Sequence, residues 1–367
     1  MRFDMKVMVV FGTRPEAIKM APLVIELKKR DNIETIVCVT GQHEKMLDQV
    51  LEVFHIVPDY NLRIMKKGQD LFDITTVILE KMKTVLENEE PDLVLVHGDT
   101  STAFATALAS FYKKILVGHV EAGLRTNNLY SPFPEEYNRQ AIDIIADYLF
   151  VPTQRAKDNL IRENKEESKI YISGNTVIDA LKTTVRNDYQ HEYLEWVSDS
   201  RLIVLTAHRR ENLGEPMKNI FSAINRILED FRDVKIIYPI HLNPQIRELA
   251  EKYLKTSDRI RLVEPMDVLD FHNIVAKSYF VLTDSGGIQE EAPALGKPVL
   301  VMRDTTERPE GVEAGTLKLI GTNEDDIYRE ASKLLMDVDE YKKMALAVNP
   351  YGDGFASKRI ADIVCQR

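Results

Sequence analysis

The stretch Tyr279–Leu295, YFVLTDSGGIQEEAPAL, constrains the fold of this chain more than any other. Tyr279–Thr283 is a short apolar run with β-branched members, the mark of a buried strand. Asp284-Ser285-Gly286-Gly287 then supplies a capping side chain and two residues free to take positive φ before a helix begins. A strand that ends facing a helix start brings unpaired backbone N–H groups and the positive end of a helix dipole to one point, and both favour a phosphate. In isolation the stretch could equally be an ordinary strand-to-helix turn. Its weight comes from repetition of the same pattern along the chain.

Lys6–Phe11 reads as a buried parallel strand turned by Gly12-Thr13-Arg14-Pro15-Glu16 into a helix that runs to about Arg30, with Pro15 suited to its first turn. Glu34–Thr40, Asp92–Val96, Ile115–Val120, Tyr148–Val151 and Lys169–Ile172 repeat the strand pattern, with helices predicted over Leu71–Asn88 and Thr102–Tyr112 between them. A second series runs through Arg201–Thr206, Val234–Ile240, Arg259–Leu262, Tyr279–Thr283 and Pro298–Met302, and Gly354–Val364 has the pattern of a closing amphipathic helix. Two such series predict an α/β protein with two doubly wound, Rossmann-like parallel sheets joined by crossover helices. The length of 367 residues also exceeds what one core usually supports. The expected division is 1–175 and 176–353, with the final helix, 354–367, packing back on the first domain.

Composition narrows the partners. A formal net charge of −10 argues against nucleic acid and against an anionic membrane surface held by charge alone. Cys38 and Cys365 are too few and too far apart for a disulfide framework or a zinc site, which points to a reducing compartment. Met1–Met5 leads straight into a strand, and no apolar run approaches membrane-spanning length, so a soluble cytoplasmic protein is expected.

An open α/β sheet places its ligand at the carboxyl ends of its strands, and polar residues follow several strands directly. Asp99 lies in His97-Gly98-Asp99-Thr100-Ser101, Glu121 in Glu121-Ala122-Gly123-Leu124-Arg125, and His208 in Ala207-His208-Arg209-Arg210-Glu211-Asn212, while Glu135 opens a helix after a proline-broken loop. Each has a structural alternative: Asp99 as a helix cap, Glu121 paired with Arg125, Glu135 as an exposed first-turn carboxylate, His208 as a satisfied core histidine. Arg14 and Lys19 fall on the first turn and the start of its helix, where surface salt bridges are the alternative. No GxSxG elbow, P-loop or GxGxxG turn is present, so nicotinamide and flavin have little support. His97, His119, His208 and His241 lack metal-ligand spacing.

Eight ordered segments carry a resemblance that covers almost the whole chain: GTRPEAIKMAP at Gly12–Pro22, HGDT at His97–Thr100, GHVEAGLRT at Gly118–Thr126, SPFPEEYNR at Ser131–Arg139, GNTVIDAL at Gly174–Leu181, TAHRREN at Thr206–Asn212, TDSGGIQEEAP at Thr283–Pro293 and ERPEGVEAG at Glu307–Gly315. Together they closely resemble the non-hydrolysing UDP-N-acetylglucosamine 2-epimerases. The resemblance implies two domains of the glycosyltransferase-B type with the active site in the cleft between them. It also implies reversible conversion of UDP-GlcNAc to UDP-ManNAc for surface polysaccharide synthesis, no cofactor or metal, and a homodimer. It makes Asp99, Glu121, Glu135 and His208 catalytic and gives UDP contacts to Arg14, Lys19, Arg139, Phe271, Ser285, Gly286, Gly287, Glu291 and Arg308. A second, activating nucleotide-sugar site would involve Gln42, Arg209 and His241, but Lys45 and Gly68 stand where the family pattern has glutamine and arginine. The alternatives to be separated are a hydrolysing epimerase, a glycosyltransferase of the same architecture, and a non-enzymatic UDP-sugar sensor.

Overall fold

The computed structural model describes residues 4–41, 44–66 and 68–366. The chain divides into two compact units, Met1–Thr183 with Tyr351–Arg367, and Thr184–Pro350. Among the described residues the first unit holds a seven-stranded sheet: β1 (Met5–Phe11), β2 (Ile33–Val39), β3 (Tyr60–Asn61), β4 (Leu93–His97), β5 (Leu116–Val120), β6 (Tyr148–Val151) and β7 (Ile170–Ile172), in the order β3-β2-β1-β4-β5-β6-β7. Every neighbouring pair is parallel. The second unit holds six strands: β8 (Arg201–Thr206), β9 (Val234–Pro239), β10 (Ile260–Val263), β11 (Phe280–Thr283), β12 (Val299–Val301) and β13 (Leu317–Leu319), in the order β10-β9-β8-β11-β12-β13, again all parallel. The two doubly wound sheets expected from the strand–helix alternation are therefore present. The sequence reading did not anticipate β3 and β13, edge strands of two and three residues, because runs that short have no period to detect.

Burial explains the strand sequences. Val7–Phe11 is fully buried, as a central parallel strand covered on both faces must be. The helix Ser101–Tyr112 begins one residue earlier than its apolar pattern suggests, because the Thr100 hydroxyl accepts the Ala103 N–H at 3.0 Å and caps it. Its buried Ala103, Ala105 and Ala107 let it lie close to the sheet. The closing helix, Ala356–Cys365, belongs to the first unit: Asp179 accepts the N–H groups of Ala356 and Ser357 at 3.1 and 2.8 Å, and Ile360, Ala361 and Val364 are buried.

At the exit of β5 the chain turns through Gly123 at φ +80, where a methyl group would run into the Ala156 carbonyl oxygen. The Gly123→Ala variant is expected to lose about 1–3 kcal/mol of stability from positive-φ strain and overpacking. Denaturant titration of the full chain reads this directly, and an unmoved first-unit transition would contradict it.

Candidate active site

In each sheet the strand order reverses beside its first strand, between β1 and β4 in one and between β8 and β11 in the other. Loops on the two sides of such a reversal leave in opposite directions and open a crevice at the carboxyl ends. The turns that leave those four strands are Gly12–Glu16, His97–Ser101, Ala207–Asn212 and Asp284–Gly287, four of the polar turns singled out in the sequence.

In the first unit, Thr13 and Glu16 cap the helix Arg14–Lys28 reciprocally, which sets Arg14 at its first position. The buried Glu16 carboxylate also accepts from Gly12 N–H at 3.1 Å and from the Thr100 hydroxyl at 2.7 Å, tying the β1 exit to the β4 exit. Burial pushes the Glu16 carboxyl above its usual range in spite of these bonds. Asp99 does not cap the following helix, since Thr100 does. Its carboxylate instead meets Arg139, whose Nε lies 3.0 Å away, and its carbonyl accepts from Asn138 Nδ2 at 2.9 Å. Glu121 does not pair with Arg125. It ion-pairs with Lys19 and accepts from Asn175 Nδ2 at 2.9 Å, and the buried His97 places Nε2 3.5 Å from the same oxygen. Glu121 holds a left-handed backbone, φ 68. Glu135 is half-buried at the first position of the helix Glu135–Ile145. The structure thus gathers Asp99, Glu121, Arg139 and Lys19 at strand and helix ends of one sheet.

In the second unit the structure corrects one expectation. No side chain caps the helix Ile288–Ala294, and neither Gly286 nor Gly287 adopts positive φ. Asp284, fully buried, turns the other way and accepts the N–H groups of His208 and Arg209, both at 2.8 Å, and Asn212 Nδ2 at 3.1 Å. It fixes the TAHRREN turn rather than the helix. Burial works against the Asp284 charge, but His208 and the backbone donors hold its carboxyl below the usual range. His208 Nδ1 lies 3.2 Å from Asp284 Oδ1, with the ring half exposed and stacked on His241 at 5.6 Å, so it is not a core histidine. Burial, with His208 adding to it, lowers the His241 value.

The glycines after Ser285 then need another reason. A methyl on Gly286 would meet Arg209 only at 3.6 Å, and one on Gly287 would meet Glu291 at 3.6 Å, both ordinary contacts. Neither φ nor packing therefore demands glycine at these two positions. The Ser285 N–H is taken by the Thr283 hydroxyl at 2.9 Å. Arg308 ion-pairs with the buried Glu290, and Glu291 lies 3.6 Å from His272 Nε2. Phe271 packs half-buried against the core beside these residues. Of the second-site residues, Arg209 and His241 lie in this unit, and Gln42 falls outside the described residues. Gly68 takes φ +83 with nothing within 4 Å of where a side chain would start. Among the described residues no group of three or more His, Cys, Asp or Glu is placed to hold a metal ion.

Residues 25–365 match the family model described as UDP-N-acetylglucosamine 2-epimerase. A UDP-N-acetylglucosamine 2-epimerase of Bacillus subtilis is 63% identical over 98% of this chain and 94% of its own. Among solved structures, the UDP-GlcNAc 2-epimerase of Neisseria meningitidis bound to UDP-GlcNAc is 48% identical, with a TM-score of 0.90 over 99% of this chain and 100% of that one. The S. aureus MnaA–UDP co-structure is 53% identical, with a TM-score of 0.90 over 99% and 96%.

The loop that carries Arg308 is itself anchored, by Arg303 paired with Glu211 at 2.7 Å and with Glu307 at 2.8 Å. Burial alone would raise the Glu307 carboxyl, but the Arg303 guanidinium holds it down, from 4.5 to about 2. A carboxyl lowered on folding adds stability above its unfolded value and loses it as pH falls through the folded one. Acid should therefore weaken the second unit between pH 4.5 and about 2, and Glu307→Gln should flatten that part of the profile. A variant as acid-sensitive as the parent in denaturant titrations would contradict this.

Proposed function

The chain belongs to the UDP-N-acetylglucosamine 2-epimerase family, and from that premise we propose how its residues carry the reaction. Its two Rossmann-like units are of the glycosyltransferase-B type, and it is an isomerase that inverts C2 of UDP-GlcNAc to give UDP-ManNAc. The C2 hydrogen has no neighbouring carbonyl to acidify it, so removing it directly would leave a poorly stabilised carbanion. Loss of UDP from C1 avoids this. The C1–O bond breaks and its electron pair leaves with UDP; a carboxylate takes the C2 proton, and the C2–H pair becomes the C1=C2 bond of a 2-acetamidoglucal. UDP oxygen then adds back to C1 while a proton reaches C2 from the opposite face. No water is consumed, and the reaction is redox-neutral, calling for neither cofactor nor metal.

Two faces require two proton-handling groups. Asp99, Glu121 and Glu135 supply them, with His208 serving the diphosphate or assisting proton transfer. Arg14, Arg308, the Ser285 hydroxyl and the Gly286–Gly287 backbone take the charge of the departing UDP, Glu291 the ribose hydroxyls and Phe271 the uracil. Lys19 and Arg139 serve the nucleotide while holding the acids they pair with. The observation that carries this reading is that Asp99 and Glu121 leave adjacent strands, β4 and β5, and each is paired with a cation, Arg139 and Lys19. Arg209, His241 and Gln42 are proposed to serve a second nucleotide sugar. The working protein is taken to be a cytoplasmic homodimer that feeds surface polysaccharide synthesis, a reading its two free cysteines fit.

Proton NMR with UDP-GlcNAc in deuterated water tests the reaction. Deuterium at C2 of both UDP-sugars is expected; free ManNAc would mark a hydrolase, and an unlabelled C2 a transferase or a sensor. Asp99→Asn and Glu121→Gln should each lower kcat by ~10²–10⁴ with UDP affinity largely kept. Full turnover in either variant removes that acid from proton handling.

A further inference from the structure

We propose that His119 is a buried imidazolium that positions the acids of this reaction, an inference that deepens the functional reading above and rests on it. His119 lies on β5, two residues before Glu121, and is fully buried. Its Nε2 lies 2.7 Å from the carbonyl oxygen of Gly98, the residue before Asp99. Its Nδ1 lies 2.6 Å from Asp143 Oδ1, on the helix that begins with Glu135 and carries Arg139, the partner of Asp99. One ring therefore joins the strand that delivers Glu121, the turn that delivers Asp99 and the helix that delivers Glu135.

The charge follows from what each nitrogen faces. A carbonyl oxygen only accepts, so Nε2 carries a proton. Asp143 Oδ2 already receives Arg125 NH2 at 2.7 Å and the Gly123 N–H at 3.3 Å, which is the setting of a carboxylate and not of a carboxylic acid. Nδ1 must then donate as well. The cluster is neutral as a whole, because Arg125 is shared with Glu163 through bonds of 2.6 and 2.7 Å.

Two further bonds make the arrangement a register lock. The Gly98 N–H donates to Val120 O at 2.9 Å, so Gly98 is held through both its N–H and its carbonyl to β5. Asn138, on the same helix as Asp143, donates to the Asp99 carbonyl. Gly98 itself sits at φ +62, a left-handed turn that glycine takes without strain. His119 has no exposed atom with which to touch substrate, so its effect passes through Asp99 and Glu121, and a displacement of about 1 Å at reacting groups is enough to cost about a hundredfold in rate.

The test uses the full chain with 15N-labelled histidine. Near pH 8, well above the ordinary histidine value of about 6.5, the wild-type His119 signal, identified by its loss in His119→Asn, should report two protonated ring nitrogens. Asp143→Asn should convert it to a neutral ring. In His119→Asn, kcat should fall by about ten- to a hundredfold while KM and UDP affinity change by less than about twofold. A bare ring nitrogen in the wild type overturns the proposal, as does unchanged kcat or a rise in KM that accounts for the loss. If the variants do not fold, the His119 signal is assigned in the wild type by correlating its ring with its own backbone resonances, and a single-proton ring there refutes the proposal by itself. A wild-type protein that never exchanges C2 would strike the assigned reaction instead, and the spectrum would still read the ring.

Discussion

Parallel pairing around a reversal of strand order is the constraint from which the rest follows. A parallel sheet needs a crossover after every strand, and here the crossovers are mostly helices, so strand exits feed helix starts with unpaired N–H groups. The reversals at β1/β4 and β8/β11 leave a gap between those exits in each sheet, because the connections on either side wind away from one another. The turns Gly12–Glu16, His97–Ser101, Ala207–Asn212 and Asp284–Gly287 border the two gaps. Their polarity is a consequence of the topology: buried apolar side chains there would leave those donors without partners.

Acids placed at such points fall into two groups. Glu16, Glu136, Asp143 and Asp284 are almost wholly buried, and each is occupied by several donors: Glu136 by the N–H groups of Thr126 and Asn127, both at 3.1 Å, and by Arg139, Asp284 by two backbone N–H groups and Asn212. These carboxylates shape turns. Asp99, Glu121 and Glu135 keep part of their surface open, and the first two have a long, flexible cation as partner. The division is one of burial, and it runs through neighbouring residues: Glu135 and Glu136 adjoin in sequence and belong to different groups.

Much of this was legible in the sequence. The apolar runs of β1, β4, β5, β8 and β11 and the polar turns after them identify the fold and the acids that leave it, since burial on both faces and a glycine turn are local signals. What the sequence did not reveal depended on which side chain answers which. Asp284 precedes two glycines and a helix, so it reads as a cap, yet its carboxylate serves the turn that begins 76 residues earlier at His208. Lys19 and Glu121 are separated by 102 residues, and nothing in either segment marks the pairing. His119 reads as an interior strand residue; only the register of β4 with β5, which puts the Gly98 carbonyl within its reach, gives it a task. The short edge strands β3 and β13 escaped for the opposite reason, having too few residues to show a pattern.

The backbone of Glu121 is strained. A non-glycine residue at φ 68 costs on the order of 1 kcal/mol or more, and glycine would remove that cost at once. The neighbouring Gly123, also at positive φ, shows that this same turn accepts glycine. Glutamate is kept at a strained position because the left-handed turn aims its carboxylate at Lys19 and Asn175 instead of continuing the alternation of β5, along which the next side chain would enter the sheet's packing. His119 two residues before it and Gly123 two residues after it are both tied to Asp143, so the strain is held from either side by one buried carboxylate. A conformation that glutamate disfavours is thus enforced by its surroundings.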